Sequence, residues 1–188
     1  MRLPLFPLHA VLVPGATMSL QVFEPRYQEL LRRCRQNRES FGIVLIREGR
    51  EVGGTAIPFA VGTEAKIVAV EDLPGGRAHV LVEGHRRFRI LRIENARSYT
   101  EADIDWLPEP LGESASWRRT VLDLLATCET GIEAYGCDAL DLSYRLADAL
   151  AVDPEDKQRL LEAADVGERL EKVAVLLLRT QSPARGAS

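Results

Sequence analysis

Leu3-Pro4-Leu5-Phe6-Pro7-Leu8, then Val13-Pro14-Gly15, Phe23-Glu24-Pro25-Arg26-Tyr27 and Phe41-Gly42-Ile43-Val44-Leu45-Ile46, decide the architecture of the first half of the chain. Short apolar runs broken by proline and glycine describe strands entering and leaving a small sheet. Glu24-Pro25 opens a helix among them, because proline at the first helical position gives up an N–H that has no helical acceptor. Behind it Tyr27, Leu30, Leu31 and Cys34 recur at the spacing of one buried face, which predicts a helix over 24–37. The other face carries Arg32, Arg33, Arg35 and Arg38, read as a solvated surface that Glu29 and Glu39 partly offset. No reactive constellation appears here, so the region reads as scaffold for binding.

Working outward, 41–46 is an unbroken apolar run, as in a strand covered on both faces. Residues 47–58 place Gly49, Gly53 and Gly54 among charges and predict a flexible connection. Further strands are expected at 61–72, 77–83 and 86–94, the first two joined by a hairpin at Leu73-Pro74-Gly75-Gly76. In the last strand Ala102, Ile104 and Trp106 point inward, while Glu101, Asp103 and Asp105 form an acidic face toward solvent. The prolines of Leu107-Pro108-Glu109-Pro110-Leu111-Gly112 end the strand region, and the apolar period changes from two to 3.6.

Helical stripes follow. Trp117, Val121, Leu124, Leu125, Cys128, Ile132 and Tyr135 form the first, stopped by Gly136. Leu142, Leu146, Ala149 and Leu150 form a second. Asp153-Pro154 starts a third helix holding Leu160 and Leu161. A fourth over 166–180 turns Leu170, Val173, Ala174, Leu177 and Leu178 inward. The expected organisation is a strand-rich unit over 1–107, a helical unit over 113–181 and an unstructured tail over 182–188.

With 46% hydrophobic and 28% charged residues in 188, the composition is that of a soluble globular protein. A formal net charge of -4 argues against a whole-molecule footprint for nucleic acid. No run reaches the roughly 18 to 20 apolar residues of a membrane helix, and prolines interrupt the start where a signal peptide needs an apolar core. The expectation is a cytoplasmic protein with no membrane partner. Cys34, Cys128 and Cys137 are odd in number with no C-x-x-C spacing, so they are expected to be reduced thiols. Cys34 and Cys128, on apolar stripes, are read as core residues.

Nucleotide cradles, the G-x-S-x-G elbow and the H-E-x-x-H metal motif are absent, and no cofactor is expected. His9, His79 and His85 are scattered; only a convergence of His79, His85 and Cys137 would suggest an enzyme. The dense basic run 85–92 places Arg86, Arg87, Arg89 and Arg92 on one strand, split between its faces. Ion pairs with Glu24, Glu64 or Glu83 are the plainer account of these arginines, and RNA contact is the alternative.

The opening motifs, together with Val61-Gly62-Thr63-Glu64-Ala65, Gly84-His85-Arg86-Arg87-Phe88-Arg89-Ile90, Leu142-Ser143-Tyr144-Arg145-Leu146-Ala147-Asp148 and Lys157-Gln158-Arg159-Leu160-Leu161-Glu162, resemble the LON domain, the N-terminal substrate-binding domain of Lon proteases. The resemblance implies an α+β fold: a PUA-like, partly open β-barrel with one inserted helix, followed by a C-terminal helical bundle. It also implies a free-standing copy without the ATPase and Ser-Lys peptidase domains of full-length Lon proteases, hence a non-enzymatic module. Such a module would bind unfolded or tagged polypeptide, alone or with a separate protease or chaperone. Candidate peptide-lining residues are Phe6, Phe23, Tyr27, Phe59 and Tyr99.

Overall fold

Prolines at positions 4 and 7 would break most central strands, yet β1 (Arg2–Leu8) lies within the sheet of the computed structural model, which describes residues 1–53, 56–94, 98–127 and 136–181. The strand manages this by changing neighbours half-way. Arg2 to Pro4 pair antiparallel with β7 (Glu101–Trp106), and Leu5 to Leu8 pair parallel with β3 (Phe41–Gly49). A missing proline N–H is tolerated where a ladder lies on one side only. From β3 the sheet runs through β5 (Val61–Asp72) and β6 (Ala78–Glu94) to β7, so five strands close on themselves through β1–β3. β4 (Ala56–Pro58) lies beside β3, and β2 (Thr17–Val22) pairs with the first half of β6. Every strand pairing described is antiparallel except β1–β3.

The core of this ring is Phe88, packed with Leu3, Leu5, Val44, Ala102 and Ile104 and met edge-on by Trp106 at 6.4 Å. β3 and β5 make room for it with glycine: a Cβ on Gly42 would lie 2.5 Å from the Phe88 ring, and one on Gly62 2.7 Å from it. The strands expected at 77–83 and 86–94 are one strand, because Gly84 continues the chain instead of turning it. Its missing side chain admits the 13–16 loop, where a Cβ would stand 2.3 Å from the Val13 carbonyl, and its N–H bonds the Ala16 carbonyl at 2.9 Å.

α1 (Pro25–Asn37) buries Tyr27, Leu30, Leu31 and Cys34, the face its spacing predicts. Two charged residues differ from expectation. The Arg33 guanidinium donates to Tyr99 Oη at 3.1 Å, to Glu39 at 3.0 Å and to Glu101, and the Tyr99 bond is the chief reason its pKa is pushed up. Glu101 is accordingly buried against that cation and does not belong to a solvated acidic face. Burial pushes the Cys34 thiol up to about 12. At pH 8 it should therefore stay unmodified by iodoacetamide in the native protein and react only in urea; mass mapping that finds Cys34 labelled without denaturant would contradict this packing.

The chain divides into two compact units, Met1–Pro108 and Glu109–Ser188. The second is built from α2 (Ser114–Thr127), α3 (Ala139–Ala149), α4 (Pro154–Leu161) and α5 (Val166–Gln181). The tail and the last members of the first predicted stripe, Cys128, Ile132 and Tyr135, lie outside the described residues. On α3 the buried alanine is Ala147, with Ala149 exposed; on α5, Leu178 faces solvent and Leu176 is buried. Asp165 accepts the Glu168 N–H at 2.8 Å while Glu168 accepts the Ala164 N–H at 2.6 Å, a reciprocal cap on α5. The Pro-rich segment then anchors there, with Val166 N–H on the Pro110 carbonyl at 2.9 Å.

At the centre of this unit sits Arg169 of α5, fully buried. It bonds the Leu160 carbonyl and Ser143 Oγ, both at 3.1 Å, and the Glu109 carboxylate at 3.0 Å, while stacking 4.0 Å from the Tyr144 ring. Tyr144 in turn donates to Glu109. The pattern of apolar residues misses this centre because it looks only for apolar side chains. The available signal was the place of Arg169 on the stripe Val166, Arg169, Leu170, Val173.

Candidate polypeptide-binding site

The end of β1, strand β2 and the start of α1 enclose a groove of about 480 Å³. Its floor is aromatic. Phe6 stacks on Tyr27 with ring centroids 4.1 Å apart and planes at 20°, and both rings are almost wholly buried. Burial pushes the Tyr27 phenol up to about 12, with Glu24 and Glu51 adding to it and the Arg26 guanidinium, 4.5 Å over the ring, opposing. The rim is apolar and open, with Phe23 49% and Val52 53% exposed. Both line the same groove, and apolar side chains gathered at a concave surface are a feature of contact sites.

Val52 is held in place by a tied connection. His9 N–H donates to the Glu51 carboxylate at 3.0 Å, Arg26 to the Glu51 carbonyl at 2.9 Å, and Gly53 N–H to Glu24 at 3.2 Å. The expected flexible connection over 47–58 is therefore replaced, in its described part, by the ends of β3 and β4 and this set of bonds; residues 54–55 lie outside the described residues.

Of the five aromatic candidates, Phe6, Phe23 and Tyr27 meet in the groove. Phe6 and Tyr27 form its floor, and only Phe23 stands out from it. Phe59 is half-buried just past β4, where its N–H bonds the Leu45 carbonyl at 2.8 Å, and Tyr99 is buried as the acceptor of Arg33. Met18 and Leu20 of β2 line the groove and were not foreseen. The alternation of Thr17-Met18-Ser19-Leu20-Gln21-Val22 is the sequence signal that marks them.

The four arginines of the basic run do separate jobs. Arg87 is buried and donates to the Pro108 carbonyl at 3.0 Å. Arg86 pairs at 3.1 Å with Glu64, one of the three carboxylates expected to serve these arginines, and stacks 3.9 Å from the Trp106 ring. Arg92 pairs with Glu94 at 3.1 Å, and Arg89 is exposed. His79 and His85 do not converge, since six residues along β6 separate them by roughly 20 Å at about 3.3 Å per residue. Among the described residues no cluster of three His, Cys, Asp or Glu side chains is placed to hold a metal ion, and no helix is long and apolar enough to cross a membrane.

A sequence model of the ATP-dependent protease La (LON) substrate-binding domain matches residues 2–179. The chain belongs to this LON substrate-binding domain family. Lon protease 1 of Bacillus subtilis is 30% identical over 186 residues, 91% of this chain and 24% of that protein. Lon protease of Paraburkholderia phytofirmans is 28% identical over 180 residues, 88% of this chain and 22% of the relative. This LON chain thus spans about a quarter of the length of those curated relatives. Among solved structures, a Lon N-terminal domain protein from Xanthomonas campestris superposes with a TM-score of 0.70 at 30% identity, covering 97% of this chain and 99% of its own. The N-terminal domain of a Mycobacterium avium complex Lon protease, with a TM-score of 0.69 at 19% identity, shares the fold.

Proposed function

We propose that this LON chain is a non-catalytic module that captures unfolded or apolar polypeptide segments in the groove between β1, β2 and α1, for its own purposes or for a separate protease or chaperone. The observation that carries this is the exposed Phe23–Val52 rim over a buried aromatic floor, on a domain whose family is named for substrate binding. The closed strand ring with its inserted helix is, on this reading, a PUA-like barrel, and the second unit a helical bundle. RNA is the weaker reading, because Arg87 is buried and Arg86 and Arg92 are each paired with a carboxylate.

Titration of a fluorescent, permanently unfolded polypeptide, such as reduced and carboxymethylated α-lactalbumin, tests the proposal. Binding is expected in the micromolar range or weaker, with affinity largely kept at high salt. Replacing both rim residues, Phe23→Ser with Val52→Ser, should weaken it about tenfold, since each removes apolar area that a bound segment would cover. Absence of binding by the folded wild-type protein, or full affinity in the double variant, would count against the groove.

A further inference from the structure

We infer that the bound segment adds to the sheet as an extended strand along the open edge of β2, and that the groove selects chains with apolar residues at alternate positions and basic rather than acidic flanks. This rests on the polypeptide-binding reading above and specifies its mode. β2 pairs with β6 alone, so its other edge carries no strand among the described residues. The groove touches Met18, Ser19, Leu20 and Gln21 in succession. Successive side chains of a strand point to opposite faces, so a cavity that contacts four in a row lies along the hydrogen-bonding edge and not over one face.

The phase of the ladder says which groups that edge offers. Gly84 N–H bonds the Ala16 carbonyl at 2.9 Å, and Met18, Leu20 and Val22 follow in the same alternation, opposite Val82, Val80 and Ala78. In an antiparallel pair the intervening residues turn N–H and C=O away from the partner. Ser19 and Gln21 therefore present two donors and two acceptors to the groove, one repeat of a strand template. Every other side chain of a docked strand would then face the Phe6–Tyr27 floor and the Phe23–Val52 rim. The charged residues of the lining are Glu24 and Glu51, with no lysine or arginine among them. Glu24 is shared with Arg26 at 3.2 Å, whereas Glu51 forms no ion pair with a cation among the described residues. A cationic flank complements that charge.

The test uses a nonapeptide alternating Phe or Leu with Thr and ending in Lys at both termini, together with two N-methylated versions. Methylating the amides of one alternate set removes the donors facing β2, and methylating the other set leaves them intact. One version should lose about tenfold or more in affinity and the other should change less than about threefold, as expected for two net hydrogen bonds. Amide exchange at Ser19 and Gln21 should slow on binding, and Glu in place of the terminal Lys should weaken binding several-fold at low salt, a difference that salt removes. Binding of the parent peptide with both methylated versions equal, and Ser19 and Gln21 exchange unchanged, would overturn strand addition while leaving polypeptide capture standing. No binding of the parent peptide by a protein that still captures the unfolded polypeptide would also overturn it. Failure with both probes would remove the two together.

Discussion

Phe88→Ala is expected to destabilise the strand unit by about 3–5 kcal/mol, read as a lower urea midpoint of Trp106 fluorescence. Phe88 is fully buried and Trp106 meets its ring at 84°, so the tryptophan reports directly on the cavity. The cost should lie toward the upper end of the range because the cavity has poor means of collapse. On the side of Gly42 and Gly62 its wall is backbone held in the β3–β5 and β5–β6 ladders, so inward movement is left to the side chains on its other sides, among them Leu3, Leu5, Val44 and Ile104. A second substitution separates cavity formation from general damage. Gly42→Ala alone should cost about 1–3 kcal/mol, since its Cβ would press the Phe88 ring at 2.5 Å and Leu5 at 2.9 Å. Combined with Phe88→Ala, the same methyl enters the space the ring has left, so the double variant should be more stable than the sum of the singles predicts. Simple additivity in that cycle would show that Gly42 and Phe88 are not in contact.

Arg169→Ala should cost the helical unit a similar amount, about 3–5 kcal/mol, followed by the Trp117 signal of α2. The guanidinium satisfies the Leu160 carbonyl, Ser143 Oγ and Glu109 at once while covering the Tyr144 ring, so one truncation acts on α3, α4, α5 and the segment entering the unit. Leaving buried acceptors without a donor is penalised more than the bonds were worth in the first place. Arg169→Lys should recover little, because an ammonium has neither the planar fork that spans three acceptors nor the flat face that stacks on tyrosine. Near-wild-type stability in the lysine variant would mean that charge alone, and not the shape of the guanidinium, organises this centre.

Much of the scaffold was legible in residue order, and the losses have physical causes. α1 was read closely because its buried face repeats at helical spacing behind Pro25. The division of β6 at Gly84 was misread, since a glycine that opens room for a crossing loop looks the same in sequence as one that makes a turn. Glu101 was assigned to a solvated face by alternation alone; the Arg33 that buries it comes from 68 residues away, across the unit. The apolar stripe places Leu178 inward, yet the packing around α5 leaves half of it exposed. The site was half legible: aromatic type picked out Phe6, Phe23 and Tyr27, while Met18, Leu20 and Val52 belong to it only because β2 and the β3–β4 connection close around that floor.

By itself the order of residues determined which segments are strands and which are helices over most of the chain, since propensity, proline placement and apolar period are local properties. Its motifs also marked the kinship to LON domains. Only the tertiary structure decided which polar groups are buried, which aromatics reach solvent, and that β2, among the described residues, pairs along one edge only, beside an aromatic floor. Those outcomes depend on contacts between residues far apart in the chain, and local pattern carries no record of them.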